Sequence, residues 1–255
     1  MSTQKKKRPL SRIMTMHYIK LFYRSLLFIL GVGYYIVFNE SVRHAKVLSE
    51  PTGKMHWILT AIWVVYFIEM LLRFFPSNME STGCQKQFAR NYRPTGKPVS
   101  EAVILPSIRT FAVLAAWVAL NGAFGLLYYL HIFDEGIMMI ISLAYGICDL
   151  ICILFFCPFQ TWFMKNRCCT TCRIYNWDFP MMFTPLIFVK GIYSRSLVLL
   201  SLGLLIKWEY LVHKHPERFS EVTNQSISCA HCQEKLCHHK TQLHSFWKKH
   251  KSKLF

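Results

Sequence analysis

Nine of the chain's ten cysteines lie in its second half, in three groups whose spacing suits thiol or soft-metal chemistry. The densest is the polar run Asn166-Arg167-Cys168-Cys169-Thr170-Thr171-Cys172-Arg173, with three thiols within five positions. Lys165, Arg167 and Arg173 flank them. Positive neighbours favour the thiolate, which is both the metal ligand and the nucleophile. Cys169-x-x-Cys172 has the spacing of zinc sites and of redox dithiols. A second group, Cys229, Cys232 and Cys237 followed by His238, His239 and His244, offers the three thiolates and an imidazole of a tetrahedral zinc set. The third group is Cys148, Asp149, Cys152 and Cys157, inside an apolar run. Cys148 and Cys152 are one helical turn apart and share a face. A carboxylate at membrane depth is costly enough to suggest a role. Two thiols and a carboxylate suit the passage of a soft cation. Equally, such cysteines serve as small hydrophobes in helix packing, with Asp149 bonded to Asn121 or to backbone.

The elements that hold these residues are apolar helices. The chain is 53% hydrophobic and only 17% charged, against about 25% charged in soluble domains. Five runs, near 21–38, 57–75, 109–132, 136–157 and 195–212, are close to the ~20 residues needed to cross a hydrocarbon core of about 30 Å. Backbone polar groups must be satisfied within lipid, so these runs should be helices. The expected fold class is therefore all-α: a polytopic transmembrane helical bundle with five strong spans. The short stretch 179–189, broken by Pro180 and Pro185, becomes a sixth passage if it crosses together with a tilted neighbour. The parts are a basic N-terminus (1–20), the bundle (21–212) with loops 76–108 and 158–178, and a basic Cys/His-rich tail (213–255).

The net charge of +17 follows the rule that cytoplasmic loops carry excess Lys and Arg. It points to anionic lipid headgroups rather than nucleic acid. Lys86, Arg90, Arg93 and Lys97 in one loop and Lys165, Arg167 and Arg173 in another place both loops, and the N-terminus, in the cytoplasm of a cell with its plasma membrane spanned several times. The hairpin at Asp134-Glu135-Gly136 falls outside. Five passages put the basic tail outside, whereas six put it inside with the other positive segments. Arg24 is expected to snorkel to the inner surface, and Glu69 to pair with Arg73 one turn on. Tyr34, Tyr35, Trp57, Tyr128, Tyr129, Trp162, Trp177 and Trp208 fall near interfaces, where aromatic rings gather. Ala115, Ala119 and Ala123 repeat at four-residue spacing, a pattern for close helix packing or a homodimer face.

The expected site is a metal site at the cytosolic face, with ligands drawn from Cys168, Cys169, Cys172, Cys229, Cys232, Cys237, His238 and His244, and Zn2+ as the metal. Cys229 and Cys232 can instead join Cys169 and Cys172 in a four-thiolate set. Cys157-Pro158 is like the Cys-Pro pair that ends ferredoxin motifs, so an iron–sulfur cluster on Cys157, Cys168, Cys169 and Cys172 is the alternative. No phosphate loop, catalytic elbow or HExxH motif is present in the sequence, and no catalytic residue is expected. The role expected is binding or scaffolding, with an unspecified protein partner. Two other readings stay open: soft-metal transport along Cys148, Asp149, Cys152 and Cys157, and membrane thiol-redox or electron transfer.

The stretch from Cys157 to Pro185, CPFQTWFMKNRCCTTCRIYNWDFPMMFTP, resembles a segment of uncharacterised bacterial multi-pass membrane proteins with a cytosolic Cys-Cys-x-x-Cys loop. It covers under an eighth of the chain. The resemblance implies no activity, only that the Cys loop and Asn176-Trp177-Asp178 form one unit.

Overall fold

The computed structural model describes residues 12–37, 56–76, 83–102, 107–165 and 169–231. Among them the regular structure is helical, apart from one isolated bridge between Pro94 and Asn224. The long helices are α1 (Arg12–Val37), α2 (His56–Arg73), α4 (Ser107–Tyr129), α5 (Glu135–Leu154) and α7 (Ile192–Lys214); α3 (Gly83–Gln87) and α6 (Asp178–Phe183) are short. Four of them, α1, α4, α5 and α7, are long and apolar enough to cross a membrane. The run at 57–75 forms α2, which is not among these four: its 18 residues, about 27 Å at 1.5 Å per residue, are at the short end of what spans a ~30 Å core, though it still runs the length of the bundle beside α7.

The outer surface of the long helices is compatible with lipid contact: Ile29, Phe111 and Leu199 are each more than 60% exposed. Inside, Tyr66, Met70, Met138, Leu143, Phe183 and Leu204 form the centre of one apolar core. α1 and α5 run antiparallel, with Gly31 against Leu143 and Met14 against Leu150 and Leu154. Asp134 caps α5 by accepting from the Ile137 N–H at 2.9 Å, and it also accepts the Tyr35 hydroxyl at 2.8 Å.

The Pro-broken stretch carries the chain from one end of the bundle to the other. Asp178 pairs with Arg73 at the end of α2. Six residues on, the Thr184 hydroxyl accepts from Trp117 Nε1 in mid-α4 and donates to the Pro180 carbonyl. Phe188 then lies against Gly125, near the far end of α4. Pro185 has no N–H to continue the helix, so α6 gives way to a 3-10 turn, Thr184–Ile187. α7 returns parallel to α2: Tyr193 lies by Thr60, Trp63 Nε1 donates to Ser196 Oγ at 2.8 Å, and Lys207 Nζ donates to the Phe74 carbonyl. The chain thus traverses the bundle six times, and its tail emerges at the end where α1 begins. That agrees with the six-passage reading of the charges.

This end, the base, is a layer of short turns. Asn224 is fully buried, with Nδ2 donating to the carbonyls of Lys86 at 3.2 Å and Arg218 at 2.8 Å. Gln225 N–H donates to the Arg93 carbonyl at 2.8 Å, and Asn176 Nδ2 donates to Gln87 Oε1 at 2.8 Å. The start of the tail, the loop after α2 and the Cys loop are therefore knitted together. Trp208 is part of this layer rather than of an interfacial belt: it is 1% exposed and packs edge-on against Phe88 and Phe219.

Candidate thiol-lined site

Five cysteines from two of the three sequence groups line one cavity of about 230 Å3. Cys148 and Cys152 come from α5 and Cys157 from the turn beyond it; Cys169 and Cys172 come from the loop. Met181 and Met182 of α6 add two thioethers to the wall. All five cysteines are thiols. Their convergence follows from the chain path. α5 ends at Leu154, Pro158 starts a π-helical turn, Phe159–Met164, and Lys165 in a left-handed conformation (φ 49°) ends it. Such turns are rare, and they are frequent at functional sites. The chain then folds back, and Cys169 starts a 3-10 turn facing the end of α5.

The thiols are held by specific bonds. Cys152 and Cys157 hydrogen-bond each other. The Gln160 backbone N–H donates to Cys157 Sγ at 3.4 Å, and its side-chain Oε1 accepts from Cys169 Sγ at 2.9 Å. Gln160 is buried and so joins the α5 thiols to the loop thiols. No local pattern marks this residue, since a lone glutamine three positions past a cysteine has no motif. Trp117, Tyr145 and Phe159 make an aromatic wall, with ring centroids 4.6 Å and 6.0 Å from that of Trp117.

Asp149 and Asp178 also line the cavity, and they anchor a buried ionic network. Arg24 does not snorkel. It is 3% exposed and lies about 18 Å along α1 from Arg12. Its Nη2 bonds Glu69 at 2.7 Å, and its Nη1 bonds the Gly146 carbonyl at 2.9 Å and Asp149 at 3.4 Å. Tyr66 and Phe179 stack against its guanidinium. Arg73 pairs with Asp178 and lies over Phe179, so the structure gives Glu69 and Arg73 partners on other elements. Lys20 adds to the positive field at Asp149. Three cations, Lys20, Arg24 and Arg73, thus face three carboxylates. Asp149 has Arg24 rather than Asn121 as its partner; Asn121 donates to the Trp117 carbonyl. A second, half-buried pair, Arg173 with Glu209, is bidentate and is joined by Trp177 Nε1 at 2.7 Å. It clamps the Cys loop to α7.

Of the residues expected to bind metal, Cys169 and Cys172 reach the cavity. Cys229 falls in a basal 3-10 turn, Cys229–His231. Cys168, Cys232, Cys237, His238 and His244 lie outside the described residues. Among the described residues no three His, Cys, Asp or Glu side chains are grouped closely enough to hold a metal ion. The four residues expected to form a transmembrane pathway, Cys148, Asp149, Cys152 and Cys157, all line the same cavity. Comparison of the chain with protein-family models, with curated proteins and with solved structures gives no match.

Proposed function

We propose that this membrane protein binds a thiophilic metal ion, Zn(II) or Cu(I), in the thiol-lined cavity at the base of its bundle. The observation that carries this reading is the convergence of Cys152, Cys157, Cys169 and Cys172, from separate elements, on one cavity with two methionine thioethers. Soft thiolate and thioether ligands select soft cations. In the structure Cys152 and Cys157 hydrogen-bond each other and Cys169 donates to Gln160, an arrangement for protonated sulfur. Metal binding requires their deprotonation and releases protons, so the loop would close on the ion as those bonds are given up. The ligands proposed are therefore Cys152, Cys157, Cys169 and Cys172.

Binding is favoured over passage across the bundle. Arg24 holds its guanidinium beside Asp149, between the thiols and the far half of the bundle. A fixed positive charge there repels a cation moving further. The exposed basal cations Arg90, Arg93, Lys97 and Lys214 support a cytoplasmic base lying against anionic headgroups.

The test is metal content of reduced, full-length protein in detergent, after loading and removal of excess ion. Wild type should retain metal in stoichiometric amount, and the Cys157→Ser/Cys169→Ser double variant should lose it. Equal retention by the two proteins would overturn the assignment, as would a wild type that retains none.

A further inference from the structure

We infer that the same cavity is built for dithiol–disulfide exchange, with Cys152 and Cys157 as one couple and Cys169 and Cys172 as the other. This goes beyond metal coordination: it uses oxidation of the sulfurs, and it stands whether or not a metal binds. Three observations carry it. Cys152 and Cys157 already hydrogen-bond each other. Cys169 opens a 3-10 turn, and the Cys172 N–H donates to the Cys169 carbonyl at 3.0 Å; side chains three apart in a 3-10 turn eclipse one another, which brings this pair to one edge. Gln160 touches one sulfur of each couple, Cys157 through its N–H and Cys169 through its carboxamide oxygen, so the junction between couples is fixed at those two atoms.

The reaction balances without a metal. An external disulfide, of the small-molecule or protein class, oxidises Cys169 and Cys172 to a disulfide and leaves as two thiols. The Cys157 thiolate then attacks Cys169 Sγ. The Cys169–Cys172 bond breaks, and Cys172 departs with the electron pair and takes up a proton. Cys152, deprotonated, attacks Cys157 Sγ in the mixed disulfide, and Cys169 leaves and is protonated. Two electrons and two protons have passed from the inner couple to the outer one, and the inner couple is a disulfide. Cys172 is buried and Cys169 is half-buried, so Cys169 is the sulfur that meets the external reagent. Exchange proceeds through such mixed disulfides whenever the attacking thiolate can reach the sulfur. The oxidised inner couple can no longer ligate a cation, so this chemistry would couple the state of an external thiol pool to the cavity.

The experiment uses full-length, metal-stripped protein in nanodiscs, exposed to oxidised glutathione, quenched by alkylation and mapped by mass spectrometry. Wild type should end with a Cys152–Cys157 disulfide. Cys152→Ser, which lacks the resolving thiol, should accumulate a Cys157–Cys169 mixed disulfide. Cys169→Ser, a mild change in a half-buried loop, should leave Cys152 and Cys157 reduced. A Cys152→Ser protein that forms no Cys157–Cys169 species would overturn the inference, as would a Cys169→Ser protein whose inner couple oxidises as fast as wild type. Metal retention by the reduced protein is read separately, so either proposal can fail alone.

Discussion

Arg24 holds carboxylates from two other helices, Glu69 and Asp149, inside the bundle. Beside apolar residues near the start of a span, it reads as a side chain reaching for the headgroups. In the fold it meets Glu69 and Asp149, 45 and 125 positions away, and no local pattern encodes such a pairing. The usable signal was weaker: ionisable residues of opposite sign at membrane depth, each costly alone. Removing one partner of a buried pair leaves an uncompensated charge and costs about 3–5 kcal/mol. Arg24→Met should therefore lower the thermal midpoint in detergent sharply, and Arg24→Lys, which keeps the charge but not the fork of donors, should lower it less. A midpoint unchanged in Arg24→Met would mean that the network contributes nothing to the bundle. The cysteines were more legible. Their grouping and the Cys169-x-x-Cys172 spacing are local facts, whereas the joining of two groups through Gln160 is a tertiary one.

At the scale of elements, hydropathy located every long helix among the described residues, because lipid contact is a property of a whole run. The bounds moved for physical reasons. α1 is already helical at Arg12, ahead of the run near 21, and Met14 in its first turn is buried against α5. The Pro-broken segment was the least legible element, because its two prolines break the helical period and its 3-10 turn hides its direction. Its position depends on one close approach. A Cβ added at Gly125 would come within 2.4 Å of the Phe188 ring, so this partly exposed ring must shift outward and give up its seat against α4. Overpacking of this kind costs about 1–3 kcal/mol. Gly125→Ala should be destabilised by that order in thermal unfolding, and Gly125→Ala/Phe188→Leu should recover most of the loss. Failure of the second change to rescue would place the strain elsewhere.

At the scale of the whole molecule, the chain traverses the bundle six times, and the described residues begin and end at the base. The charges pointed this way, but apolar runs alone counted five and left the tail unplaced. Contacts settle it: Asn224 is buried among carbonyls of the loop after α2, and Glu209 of α7 holds Arg173 of the Cys loop. In sealed vesicles, a protease added from one side should remove tags from the N- and C-termini together or spare both. Removal of one alone would refute the topology.

The central claim is that sulfur from α5 and from the loop together holds a metal. X-ray absorption of zinc-loaded, reduced full-length protein tests it most directly. The account predicts a first shell dominated by sulfur at about 2.3 Å, lost in the Cys157→Ser/Cys169→Ser variant. A first shell of nitrogen and oxygen that survives those substitutions would contradict it.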